Sequence, residues 1–287
     1  MIIFSEADHK YTHIESGAEL KGWTSLIKNF TKPFYEDAQL DCSAYKLLLG
    51  NAEYNKLVEG RFKQLFCLDP TEVSPWLRSC VIGDIHHLKN ELLYEWDYSK
   101  ILGSKFHREQ ELLSYERGWE INPFTGEKYD VIPLDKKYDN QSAADCLYDL
   151  PDGYYPELLV WDYTMDQSET PVTMIDKCFI KTDQESGVRY VFVDDFKSNN
   201  KPPFNGKCSK MSPPFDHLYD NTLEKYKLQV QFGGKLLETH GYTVAECAFT
   251  HYKNYDVNKS KMYTAPYDRI LMNKLQEEYK KMAKSGQ

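Results

Sequence analysis

VTMIDKCFIK (172–181) and RYVFVDDF (189–196), joined by the polar turn TDQESGV, decide the reading of this chain. Both read as strands, in which successive side chains leave opposite faces. PELLVWD (156–162) precedes them, so three consecutive strands joined by polar turns are expected. In the last strand and its extension, Val191, Val193, Asp195 and Lys197 share one face, and Phe192, Asp194 and Phe196 share the other. Asp195 and Lys197 therefore project together at a strand end. Asp176 has the same setting, with Met174 and Cys178 as same-face neighbours. A carboxylate inside an apolar strand is costly unless something pairs with it. Two such groups converging from neighbouring strands repel each other, and a divalent cation relieves that repulsion. Mg²⁺ suits the task, since it takes hard oxygen ligands from one or two carboxylates, water and phosphate. A lysine beside them can orient or deprotonate a water and offset phosphate charge. Alone, D-x-K is equally a solvated charge pair at a strand end.

Outward from these strands lies a loop rich in Lys, Pro and Asn (198–221). A helix follows in TLEKYKLQVQFGGKLLETH, with Leu223, Tyr226, Val230 and Leu237 on one stripe, although its two glycines weaken helical propensity. YTVAECAFTHY (242–252) reads as another strand, and PYDRILMNKLQEEYKKMAK as a terminal helix with Pro266 near its first position. Upstream, 119–155 is rich in Gly, Pro, Asp and Asn and reads as loop. From Thr24 to about Arg117 the signals are mainly helical, and MIIF with KYTHI suggests an opening hairpin. The expected class is α/β, a central mixed β-sheet flanked by helices, with a helical N-terminal region. Residues 1–118 would form the hairpin and helical region and 119–287 the core, together one compact unit.

Of the 287 residues 41% are hydrophobic and 28% charged, enough for a sizeable core, and the net charge of −9 argues against a surface coated in basic patches. A narrow groove of Lys and Arg tracking phosphates remains compatible with it. The seven cysteines (42, 67, 80, 146, 178, 208 and 247) form no C-x-x-C pair, which favours reduced thiols in a cytosolic-type compartment and disfavours zinc or an iron–sulfur cluster. The start has no secretory pattern, and no stretch approaches the ~20 apolar residues that span a membrane. Cytoplasmic residence is expected. No G-x-S-x-G elbow is present, so serine nucleophile chemistry has no support.

PELLVWD, MIDKCFIK, VFVDDFKSNNKPP and the helix YKLQVQFGGKLLE, in that order, resemble the RecB-type branch of the PD-(D/E)xK nucleases, especially phage exonucleases and mitochondrial genome-maintenance exonucleases. The resemblance implies a restriction-endonuclease-like core. It also implies that Glu157, Asp176, Asp195, Lys197 and Gln229 are the site residues, with Gln231 as the alternative glutamine. GDIHHLKNE resembles the family's G-x-x-x-H element, with Gly83 and His87 in register and His86 competing; Glu91 lies one turn beyond. ADHKYTH and GWTSLIKNFTKPF resemble the opening of phage members. Two positions depart from the pattern: Thr173 replaces a glycine three residues before Asp176, and Gly233 a tyrosine four after Gln229.

The implied activity is phosphodiester hydrolysis in DNA with one or two Mg²⁺ or Mn²⁺ ions, in phage-type replication, recombination or repair. Asp176 and Asp195 would be the principal ligands, with Glu157 and His87 completing the metal environment. Lys197 would position water, and Gln229 would hold Lys197 or the phosphate. The expected partner is DNA, single-stranded or with free ends; Lys201, Lys207 and Lys210 are candidate phosphate contacts, and Phe204, Phe215 and Tyr219 either stack bases or pin their loop. Lys274, Lys280, Lys281 and Lys284 look like a solvent face. A structure-specific endonuclease and an inactive DNA-binding or docking module are the alternatives.

Overall fold

A computed structural model describes residues 2–5, 10–65, 67–133, 147, 150–199, 201–203, 206–207 and 209–285. The chain opens with a three-stranded antiparallel sheet, β1 (Ile2–Ser5), β2 (Lys10–His13) and β3 (Glu19–Leu20), one strand more than the expected hairpin. Five helices follow: α1 (Trp23–Ile27), α2 (Glu36–Leu49), α3 (Asn51–Phe62), α4 (Pro70–Cys80) and α5 (His86–Arg117). Asp69 caps α4 by accepting from the Thr71 backbone N–H, with Pro70 at the first helical position, where its missing N–H costs nothing. A small core of Cys42, Tyr45, Val73 and Leu77 joins α2 to α4. Beside it the buried Asp41 carboxylate accepts from Ser74 Oγ at 2.6 Å and pairs with Arg78 and, at 2.7 Å, with Lys89 of α5. That pairing ties α2, α4 and α5 together. Helix α5 has 32 residues and stops at Gly118, whose φ of 74° is the left-handed conformation glycine adopts without a Cβ clash.

Expecting only loop over 119–155 misses an antiparallel hairpin, β4 (Trp119–Ile121) with β5 (Lys128–Asp130). The Asn, Pro and Gly there mark its turn: Asn122 accepts from the Phe124 N–H, and Gly126 has φ 73°.

The main sheet contains β6 (Gly153–Trp161), β7 (Val172–Thr182) and β8 (Arg189–Asn199), all antiparallel to their neighbours in that run. Helix α6 (Thr222–Thr239) then crosses over to β9 (Thr243–Lys253), which lies parallel to β8, and β10 (Ser260–Thr264) pairs antiparallel with β9. The order is β10-β9-β8-β7-β6, a mixed sheet flanked by helices, and α7 (Arg269–Ser285) closes the chain. The α/β class expected above is the class observed. Asn221 caps α6 by accepting from the Glu224 N–H. The α6 glycines have a packing reason: a Cβ on Gly233 would meet Ile175 at 3.1 Å, and one on Gly234 would meet Val244 at 3.2 Å and Cys247 at 3.3 Å. Glycine lets the helix backbone lie directly on the sheet. Pro266 stands ahead of α7 rather than inside it, and Asp268 caps that helix by accepting from the Leu271 N–H.

Cys42, Cys80, Cys178 and Cys247 are free, whereas Cys67 is disulfide-bonded, so fully reduced cysteines are not observed; Cys146 and Cys208 lie outside the described residues. Among the described residues no helix is long and apolar enough to cross a membrane.

Candidate active site

Strand register lines up three carboxylates. Pro156 pairs with Lys177 and Leu158 with Ile175, which sets Glu157 across from Asp176. Lys177 pairs with Asp194, and one further step along the same register sets Asp176 across from Asp195. Glu157, Asp176 and Asp195 thus form a row across β6, β7 and β8, where neighbouring strands run ~4.8 Å apart. The regular ladders part at this row. Glu157 has φ 52°, a left-handed backbone uncommon for a non-glycine residue, and the Phe196 N–H donates to the Asp176 carboxylate.

Helix α5 supplies the fourth group. His107 Nδ1 lies 3.4 Å from Asp176 Oδ2 and 3.8 Å from Glu157 Oε1. Single ligand atoms of His107, Glu157 and Asp176 all lie within 4.8 Å of one another. Asp195 stands beside this trio, its carboxylate ion-paired with Lys197 and approached by Gln229 Nε2 at 3.4 Å. The Lys197 ammonium sits 4.8 Å over the Tyr226 ring. All six groups line one cavity of about 630 Å³, whose walls also include Tyr11, Thr24, Ser25 and Arg108.

Electrostatics follow from crowding three acids and two bases together out of water. Burial raises the Asp176 carboxyl, but His107, Lys197 and the Phe196 N–H outweigh it, so Asp176 stays below its ordinary value. Burial and the Asp176 charge push Asp195 up to about 6 against the pull of Lys197. Burial lowers His107, yet the Asp176, Glu157 and Asp195 charges overcome that and raise it to about 9. Lys197 is likewise raised, burial being exceeded by Asp195 and Asp176. The lysine is therefore cationic at neutral pH, and the imidazole is too unless a metal ion displaces its proton.

Asp176, Asp195, Lys197, Glu157 and Gln229 are brought together, and Gln231 is not: it is buried and accepts from the Asp268 N–H. His87 is a correction. Its side chain is 80% exposed and pairs with Glu91 at 3.3 Å, at the opposite end of α5 from the cavity. Twenty residues of helix separate it from His107, about 30 Å at 1.5 Å per residue. The same helix contains a second G-x-x-x-H, GSKFH, with Gly103 and His107. Both copies satisfy the spacing, and the second is anchored on the main sheet, with Phe106 buried against Phe196 and Tyr252.

Lys201, Lys207 and Lys210 are exposed and none lines the cavity. Lys210 donates to the His217 carbonyl, and it and Lys207 lie over the Tyr219 ring at 3.9 and 5.7 Å. Phe215 is fully buried edge-on to Phe30, pinning its loop, while Phe204 lies outside the described residues. Lys274 is exposed on α7, as expected of a solvent face, and Lys280 and Lys281 pair with Glu277 and Glu278.

Compared with protein-family models, curated proteins and solved structures, the chain matches none.

Proposed function

We propose that this chain is a divalent-metal-dependent deoxyribonuclease of the RecB-type PD-(D/E)xK kind, hydrolysing phosphodiester bonds as an exonuclease on single strands or DNA ends. The observation carrying the reading is the carboxylate row with His107 at one end and Lys197 at the other. Hard carboxylate oxygens with one imidazole form a donor set that fits Mg²⁺ or Mn²⁺, and mutual repulsion of Asp176 and Asp195 gives a cation somewhere to act.

Glu157, Asp176 and His107, with Asp195 alongside, would hold the ion. When bound, it supplies Lewis-acid polarisation of the phosphoryl group and a more acidic water. Lys197, held protonated by Asp195 and Asp176, serves as a fixed positive charge that hydrogen-bonds the attacking water and offsets charge building on the phosphate. Gln229 steadies the Asp195 carboxylate, and Tyr226 backs the ammonium.

The test is a time course on 5′- and 3′-labelled single-stranded oligonucleotides with Mg²⁺, Mn²⁺ and EDTA. Cleavage with either metal and none with EDTA is expected, and Lys197→Ala should cost about 10²–10³-fold in rate, the scale of one lost charge-stabilising donor. Activity of the variant within a few-fold of the parent defeats the mechanism. Circular single strands should resist cleavage if ends are required.

A further inference from the structure

On helix α5, residues 94, 98, 101, 105 and 108 recur at the three- and four-residue spacing that places side chains on one face. They are Tyr94, Tyr98, Ile101, Lys105 and Arg108. The first three are large and exposed, at 70%, 49% and 63%. The tyrosine rings are parallel to within 3°, with centroids 6.1 Å apart. Toward the helix C-terminus the same face carries two cations that pair with acids of the helix, Lys105 with Glu109 at 3.6 Å and Arg108 with Glu111 at 2.7 Å, and Arg108 with Ser104 lines the cavity of the carboxylate row. One continuous track thus runs from two exposed aromatic rings, past two cations, to the active-site wall. Along the axis Tyr98 and Tyr94 lie roughly 14 and 20 Å from His107.

From this track we infer that the Tyr94–Tyr98 face of α5 is a base-stacking platform for an unpaired stretch of the nucleic acid whose phosphodiester enters the cavity. The inference rests on the nuclease reading for what occupies the cavity. The occupant is a single strand because only unpaired bases expose their faces, and an aromatic ring accepts any base without reading its edge. Backbone phosphates passing from the platform to the cavity would compete with Glu109 and Glu111 for Lys105 and Arg108. A protein helix docking here would instead find its apolar contact ending in two ion pairs. The platform explains how a chain of net charge −9 could grip a polyanion: stacking supplies contact where surface charge does not.

The test separates binding from cleavage. In EDTA, fluorescence anisotropy of a labelled 20-nucleotide thymidine strand should show binding by the parent, at least tenfold weaker for Tyr94→Ala/Tyr98→Ala and retained by Tyr94→Phe/Tyr98→Phe. Equal binding by the alanine variant within twofold overturns the platform. With Mn²⁺, the alanine variant should hydrolyse the small ester bis(p-nitrophenyl) phosphate like the parent while its KM for the long strand rises. If the parent hydrolyses neither substrate, the nuclease reading fails and the binding result still decides the platform. On the parent alone, 2-aminopurine walked along the strand should be quenched most at positions a few nucleotides from the end cleaved; uniform fluorescence overturns the inference. So does sedimentation of the parent as a dimer that the alanine pair dissociates, since the face would then join two copies of this chain.

Discussion

Asp176 and Asp195 illustrate how much one row of a sheet can demand. Two carboxylates that face each other from adjacent strands cannot both ionise freely, and the chain answers with a cation on each side, His107 and Lys197. Replacing His107 removes one side of that balance and, on the proposed reading, a metal donor that ligates once it has lost its proton. His107→Ala should weaken Mn²⁺ binding tenfold or more in calorimetric titration, whereas substitution of the exposed His87, paired with Glu91, by alanine should leave it within twofold. Equal effects of the two substitutions would reverse the assignment. Asp176, Asp195 and Lys197 were legible in the sequence because strand alternation fixes which side chains share a face. His107 was not, because a helical spacing repeated at 83–87 and 103–107 cannot tell which turn of a 32-residue helix reaches the sheet. Glu157 came through the resemblance, and neither alternation nor resemblance revealed its left-handed backbone.

Elements were easier to read where periodicity runs long. β6, β7, β8, β9 and α6 all stand where strand-type runs bounded by polar turns or helical striping place them, while the β4–β5 hairpin escaped because each strand has only three residues and its turn dominates the local composition. Three residues are too few for a period of two to register. The paired glycines of α6 looked like a weakness in a helix and are its means of approach to the sheet. Gly234→Ala should therefore destabilise the fold by about 1–2 kcal/mol: the ~1 kcal/mol that alanine adds in helix propensity is exceeded by overpacking against Val244 and the buried Cys247. Gly60→Ala in α3, where an added Cβ meets nothing within 4 Å, should instead stabilise by about 0.5–1 kcal/mol. Urea unfolding of both variants checks the contrast, and a stabilised Gly234→Ala would show that α6 has room to spare.

Across the whole molecule, the helical N-terminal region matters because α5 runs from the Asp41 cluster at one end to the carboxylate row at the other. Asp41 is held below its ordinary value: burial opposes ionisation, but Lys89, Ser74 and Arg78 outweigh it. A depressed folded-state pKa contributes stability that is present above the unfolded value near 4 and is lost as pH falls through the lower folded value. Asp41→Asn should thus cost about 2–4 kcal/mol at pH 7, since it leaves two cations and a buried hydroxyl with a weaker partner, and the gap to the parent should narrow as pH drops below about 4. Thermal unfolding at pH 7 and pH 3 reads both values, and a gap independent of pH would mean the carboxylate charge plays no part. Sequence alone marked this region as helical yet could not show how its helices interlock, since Asp41, the Ser74–Arg78 turn and Lys89 lie on three separate helices. The central claim, that acidic groups from β6, β7 and β8 converge on one divalent ion, is tested most directly by isothermal titration of Mn²⁺ into the parent and Asp176→Asn. Saturable binding by the parent that Asp176→Asn abolishes is the predicted result; matching isotherms, or no binding by either protein, would contradict it.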